Sequence, residues 1–378
     1  MKSIYLDNNA TTKPDPLVVE EVTNCIKNIW ANPSSPHSLG KLAKSYIEQA
    51  REYVAKMLNC APDEIIFTSG GTESDNTAIF SPFIRLEEKG KTGHLVISAV
   101  EHPAVLEAAL YLRRKGHKVS IIDVDKKGIL NLDQLAEEVN EQTTLVSIML
   151  ANNETGVIMP IYEIIDIVKQ KGVLMHTDAV QAAGKISIDL KELNIDMLSI
   201  SGHKFHALKG IGALFIRKGL DIHPFIIGGG QERGIRSGTE NVPGIISLGT
   251  ACQVAKTNLS KDSQHVLELK NNLEQAIKEL DIEFKINGED APRLPNTLSV
   301  SFKDKSAQDI VSMFDQNGIM VGAGAACHGD HANISHVLRA MGIKNDYAKG
   351  TIRFSLSKFN TLEEIEKVKE LVFNIKNL

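Results

Sequence analysis

Seven short apolar runs set between longer helix-forming stretches constrain this chain more than any other feature. They are "EIIFTS", "HLVISA", "KVSIID", "TLVSIML", "GVLMHT", "DMLSIS" and "IGALFI", and each of the first five leads into a segment able to form a helix, or a loop with a helix. Continuous apolar strands alternating with helices predict a largely parallel sheet covered on both faces, since a strand with one wet face would alternate apolar and polar residues. The pattern fills roughly residues 15–255 and predicts an α/β domain with a mainly parallel seven-stranded sheet between helices. Residues 241–280 read as helix with room for a break, and could join two domains. Beyond them come shorter elements, "NTLSVSF", "AQDIVSMF" and "TIRFSL", then a last helix. That helix opens on a Thr361-x-x-Glu364 capping box and sets Leu362, Ile365, Val368, Val372 and Ile375 on one face. A smaller α+β domain from residues 1–14 and 256–378 is expected.

Composition removes several function classes. A net charge of -5 gives no reason to expect a nucleic-acid or anionic-membrane partner. No apolar run approaches the roughly 20 residues that span a bilayer. The start, "MKSIYLDNNATT", lacks the layout of a secretory signal. Four cysteines (Cys25, Cys60, Cys252, Cys327) lie scattered without a CxxC, so neither a disulfide framework nor a zinc ribbon is expected. A reducing, cytoplasmic setting fits these features.

Three segments carry chemistry. In "FTSGGTESDN" (67–76) an apolar strand runs through Gly70 and Gly71 into a helix start at Thr72. Such a turn exposes backbone N–H groups at the positive end of a helix, where a phosphate can bind. A capped βα turn with no ligand is an equal reading of that segment alone, and without a lysine after the glycines it is not a Walker motif. In "HTDAVQ" (176–181), Asp178 falls at the C-terminal end of a predicted parallel strand, where α/β sheets hold ligands. It could hold a protonated ring nitrogen or simply cap a helix. In "SISGHK" (199–204), Lys204 follows the next strand and could bind an aldehyde covalently if its surroundings lower its pKa. Asp178 and Lys204 are one strand–connection–strand unit apart, which predicts one edge for both. A phosphate turn, a carboxylate for a ring nitrogen and a lysine for an aldehyde together point to pyridoxal 5'-phosphate.

The chain closely resembles, along essentially its whole length, the cysteine desulfurases of the NifS/IscS type within the class V, fold-type I pyridoxal-phosphate enzymes. The resemblance rests on "YLDNNATT", "NPSSPHS", "FTSGGTESDN", "EHPAVL", "ANNETG", "HTDAVQ", "SGHK", "GGGQERGIRSGTEN", "RLPNT" and "IRFSL". It implies an aspartate-aminotransferase-like fold and conversion of L-cysteine to L-alanine. Lys204 would bind the cofactor aldehyde and later move the substrate Cα proton, and His102 would stack on the ring and shuttle protons. Asp178 would keep the ring nitrogen protonated, and Gln181 would bond the ring hydroxyl. Gly71, Thr72, Ser201 and His203 would hold the phosphate. Thr239 would reach the phosphate of the other subunit, implying a homodimer, and Asn153 and Arg353 would orient the substrate carboxylate.

Cys327, in "VGAGAACHGDH" (321–331), has little around it to pack against, whereas a structural cysteine is usually buried. A reactive thiol, a metal site and an ordinary loop are the readings of the residues alone. The resemblance places Cys327 at the family's nucleophile position, on a loop of about residues 321–335, where it would take up sulfur as a persulfide. Mobility and exposure suit that task, and glycine and alanine on one side supply freedom. The sulfur would then pass to an acceptor or scaffold protein, for iron–sulfur clusters or thio-cofactors. The following residues depart from the NifS/IscS pattern: Cys327-His328-Gly329-Asp330-His331 resembles the loop of animal selenocysteine lyases, which makes L-selenocysteine the alternative substrate. Protonated His328 and His331 would lower the Cys327 pKa. The same residues with His336 are ligand types for zinc or iron, but adjacent Cys and His rarely both reach one ion, so no metal is expected. The chain ends at Leu378, whereas IscS-type enzymes extend further to contact a scaffold, so a partnership of that kind is not expected.

Overall fold

The computed structural model describes residues 3–324 and 334–378. After a short strand β1 (Ile4–Leu6), Asp15 accepts the Leu17 N–H and Pro16 occupies the first turn, so α1 (Pro16–Asn28) begins there. Helix α2 (Ser38–Leu58) ends on Asn59 in the left-handed conformation, at φ 54°. All seven expected strands then appear: β2 (Ile65–Thr68), β3 (His94–Ser98), β4 (Lys118–Ile122), β5 (Leu145–Ser147), β6 (Leu174–Asp178), β7 (Met197–Ser201) and β8 (Gly212–Ile216). Four helices are interleaved with them, α3 (Gly71–Glu87), α4 (Pro103–Arg114), α5 (Leu132–Glu138) and α6 (Ile161–Gln170).

The sheet order is β2-β8-β7-β6-β5-β3-β4. Strands β4, β3, β5, β6 and β7 pair in parallel, while β8 is antiparallel to both β7 and β2. The connection 202–211 is too short for a parallel crossover, so β8 folds straight back. Burial follows the pleat on both faces. Phe67, Val96, Val146 and Leu198 face one core, and Ile66, Leu95, Leu145 and Met197 face the other. Strand order reverses between β3 and β5. The carboxyl ends of β3, β5, β6 and β7 therefore flank a switch point, the usual crevice for a ligand.

Helix α7 (Val242–Lys278) starts at Asn241, whose side chain accepts the Gly244 N–H at 3.1 Å, and runs 37 residues as one helix rather than with the break allowed above. Near 1.5 Å per residue it is roughly 55 Å long. Its first part, through Cys252, packs in the large-sheet core, and Val266, Leu269, Leu273 and Ile277 pack under a second sheet. The division expected at residue 255 falls inside this helix.

The second sheet joins both ends of the chain. Its remaining strands are β9 (Phe284–Ile286), β10 (Thr297–Phe302), β11 (Ile319–Ala323) and β12 (Thr351–Ser355), in the order β1-β11-β12-β10-β9. Helices α8 (Ala307–Gln316), α9 (His336–Ala340), α10 (Asn345–Ala348) and α11 (Leu362–Val372) complete this part. The Thr361–Glu364 capping box is formed in both directions, at 3.2 and 3.3 Å. Parallel pairing of β1 with β11 draws residues 7–12 across to the large sheet, where the Thr12 N–H bonds the His203 carbonyl at 2.8 Å.

Glycines 322 and 324, expected to supply loop freedom, have another cause. A Cβ on Gly322 would lie 2.7 Å from Asp7 Oδ1, and one on Gly324 would lie 2.3 Å from the Thr351 methyl group. Close packing of β11 demands both glycines, whatever the following loop does.

Candidate active site

A cavity of about 190 Å³ opens at the carboxyl ends of β6 and β7. It brings together nine of the residues expected from sequence: Gly71 and Thr72 on α3, His102 before α4, Asn153, Asp178, Gln181, Ser201, His203 and Lys204. Arg353 stands beside it from β12. Thr239 is exposed and does not line this cavity within one chain. Cys327, His328, Asp330 and His331 lie outside the described residues.

One end of the cavity suits an anion. Helix α3 has no side-chain cap, and the N–H groups of Gly71, Thr72 and Glu73 have no acceptor among the described residues. Gly71 is required because its Cβ would sit 2.8 Å from Val180 Cγ2. The hydroxyls of Thr72 and Ser201 border the same end. The His203 ring bonds Thr11 Oγ1 at 3.2 Å, and burial with the nearby Lys204 charge lowers its pKa to about 4, so it is neutral. Uncapped N–H groups at a helix start with hydroxyls around them bind phosphate readily.

Asp178, the last residue of β6, accepts the Val180 N–H at 2.8 Å and is 6% exposed. Burial raises its pKa to about 6, so it stays mostly ionised at neutral pH and can hold a cationic N–H. Beside it lies Asp75, which sequence reasoning did not single out. Burial and the Asp178 charge push Asp75 well above the usual carboxylate range, and its Oδ1 stands 3.6 Å from His176 Nε2, without a hydrogen bond. His176 is neutral, lowered by burial to about 3, and bonds Ser147 and Ser199.

His102 caps α4, its Nδ1 accepting the Ala104 N–H at 3.1 Å. Burial, then Lys204, lowers its pKa to about 4. Neutral His102 therefore carries its proton on Nε2. Neighbouring Glu101 is fully buried, and burial raises its pKa to about 8. His336 hydrogen-bonds the Glu101 carbonyl at 2.8 Å, which brings the start of α9 close to His102. Among the described residues no group of three His, Cys, Asp or Glu side chains is placed to hold a metal.

Lys204 donates to the carbonyls of Asn9 at 2.6 Å and Ala10 at 3.0 Å. Burial, then Arg353, lowers its pKa to about 8, which leaves a useful fraction of free amine near neutrality. Arg353 bonds the Asn153 carbonyl at 3.0 Å and Asp7 Oδ1 at 2.7 Å, while its buried Nε has no partner. A guanidinium held in one orientation by two such partners is suited to pair with a carboxylate. Asp7 and Asn9 belong to the quoted "YLDNNATT", yet no local signal marks them, because only pairing of β1 with β11 brings them here.

The class-V aminotransferase family model matches residues 4–368, and the chain belongs to that family. Within it the chain is similar to proteins named cysteine desulfurase and to solved NifS-like structures. A cysteine desulfurase of Nostoc sp. is 44% identical over 98% of this chain and 92% of its own length. A solved NifS-like protein superposes with a TM-score of 0.93 at 41% identity, covering 99% of both chains. A structure of SspA in complex with cysteine has a TM-score of 0.83 at 34% identity, covering 95% of this chain and all of that one. No helix among the described residues is long and apolar enough to cross a membrane.

Proposed function

We propose that this protein is a pyridoxal-phosphate-dependent cysteine desulfurase, which converts L-cysteine to L-alanine and passes the sulfur to Cys327. The observation that carries it is one cavity holding Lys204, Asp178 and the uncapped start of α3. The donor set fits the cofactor: open N–H groups and hydroxyls for a phosphate, a buried carboxylate for a pyridinium, an amine of lowered pKa for an aldehyde. Bound there, the cofactor supplies an aldehyde to hold the substrate amine and a ring that withdraws electrons from its Cα.

Each residue then has a task. Gly71, Thr72, Ser201 and His203 hold the phosphate, and Thr239 does so for the second subunit of a homodimer. Asp178 keeps the ring nitrogen protonated, Gln181 bonds the ring hydroxyl, and His102 lies against the ring. Arg353 and Asn153 hold the substrate carboxylate, which fixes the Cα proton for Lys204 to take and return. The Cys327 thiolate attacks the substrate sulfur, forming an S–S bond as the C–S bond breaks. The C–S electron pair stays on the carbon fragment, which is protonated to alanine, and Cys327 keeps the sulfur as a persulfide for an acceptor protein. A cytoplasmic enzyme serving iron–sulfur or thio-cofactor assembly fits this chemistry.

The relatives' names do not favour the selenocysteine-lyase alternative raised by "CHGDH". Alanine release from L-cysteine and L-selenocysteine, with reductant, tests the proposal on wild type and Cys327→Ala. The variant should lose at least about a hundredfold on cysteine and keep selenocysteine turnover, since a nucleophile is needed only for sulfur transfer. A wild type that uses only selenocysteine would overturn it.

A further inference from the structure

Lys185 lies one turn beyond Gln181 and has no part in the chemistry above. Its Nζ donates to Gln181 Oε1 at 2.7 Å and to Asn9 Oδ1 at 3.2 Å. The rest of the side chain borders a smaller cavity of about 50 Å³ that Lys204 also lines. Burial and the charges of Lys204 and Arg353 hold its pKa well below that of a free lysine. A buried amine this close to two basic groups needs acceptors of its own.

Those acceptors belong to one network. The amide of Gln181 has two unlike ends, and its oxygen end is the one that accepts from Lys185. With Oε1 held there, Nε2 turns towards the Asn9 carbonyl, at 3.0 Å. The same carbonyl accepts from Lys204 Nζ. Asn9 itself is 1% exposed and held on every side: its N–H bonds Ser355 Oγ, its Nδ2 bonds Thr297 Oγ1, and its Oδ1 accepts from Asn296. Without Lys185, Gln181 Oε1 is left buried and unanswered, and rotation of the amide by half a turn becomes its remedy.

We infer that Lys185 is a positioning residue that fixes which end of the Gln181 amide meets the cofactor and keeps the Asn9 carbonyl on Lys204. This rests on the pyridoxal-phosphate reading. With Lys185 in place the ring hydroxyl meets a donor, which favours its anionic form; with the amide reversed it meets an acceptor, and the proton near it is harder to remove. The ionisable groups around Lys204 in this setting are Arg353, Asp178, Asp7 and Lys185, the last with its pKa held low by burial, and His102 and His203 are neutral.

The test is a pH titration of the visible absorption band of the cofactor-loaded protein, with the cofactor dissociation constant measured alongside. Lys185→Met should raise the midpoint by about one unit and weaken cofactor binding roughly tenfold, the cost of orphaning a buried acceptor. Lys185→Arg, which keeps the donor, should stay within about twofold of wild type in binding. In a Gln181→Ala background, Lys185→Met should add almost nothing, because it acts through the amide. A further rise there would mean a direct charge effect and overturn the inference, as would an unmoved midpoint in Lys185→Met alone. Gln181→Glu, which keeps the Lys185 contact but offers no donor to the ring, should give the same rise even if Lys185→Met does not fold, and an unchanged midpoint there also overturns it. A wild type that shows no visible band after loading would instead overturn the cofactor reading.

Discussion

The two sides of the cavity are built in different ways. On the large-sheet side each group leaves the end of its own strand: Thr72 after β2, His102 after β3, Asp178 ending β6, Lys204 just past β7. A few residues of local turn chemistry aim each one, and the parallel sheet aligns the ends. On the other side, Asp7 and Asn9 follow the N-terminal strand and Arg353 lies on β12 of the second sheet, so the Asp7–Arg353 pair joins residues 346 positions apart. The strand side carries the groups proposed for the cofactor, and the second-sheet side carries Arg353, proposed for the substrate carboxylate, with the Asn9 carbonyl bridging the two through Lys204 and Gln181. A single mutation should therefore disturb one and spare the other.

The largest effect should come from Arg353→Ala. Loss of a charge-assisted pair to a carboxylate should cost about a hundredfold in kcat/KM, mostly in KM, with the visible cofactor band unchanged. A lost band would break the separation of the two sides. Gly322→Ala is a finer probe, since its Cβ would press on Asp7 Oδ1 at 2.7 Å and on Arg353 Nη2 at 3.1 Å. We expect KM to rise about tenfold through a displaced Asp7–Arg353 pair, with cofactor affinity unchanged. If steady-state kinetics show no change, Asp7 does not orient the arginine.

The smallest effect belongs to the strand side. Glu101 has a folded-state pKa raised by burial from its ordinary 4.5 to about 8, so the folded chain binds a proton that the unfolded chain releases. Its stabilising contribution is present below pH 4.5 and is lost as pH rises towards 8. Glu101→Gln stays neutral throughout. Its melting temperature should gain on that of the wild type by a few degrees between pH 5 and pH 8. A difference that stays constant with pH would show that Glu101 is ionised in the folded state.

How far the sequence could be read follows the same division. The seven strands were legible because a strand buried on both faces is a continuous apolar run, and Asp178 and Lys204 were legible because each stands directly after one. Asp75 was not, since a carboxyl one turn into a helix looks like any surface acid until the sheet closes over it. Sequence leaves open a break in α7 for a related reason. Its apolar face changes partner along its length, and two half-length stripes look like two helices. Gly322 and Gly324 were assigned to loop freedom when packing against Asp7 and Thr351 accounts for them. Lys185 passed unnoticed because one of its acceptors, Asn9, lies 176 residues away along the chain.

Sequence alone determined the layered sheet, the glycine turn into α3 and the places of Asp178 and Lys204 at strand ends, because strand burial and turn chemistry act over a few residues. Tertiary structure alone decided the partners of Arg353, the hub at Asn9 and the place of Lys185. These depend on Ile4 pairing with Ile319 across nearly the whole chain. Such a contact leaves no local pattern, because what selects it is burial of one sheet's edge by the far end of the same polypeptide.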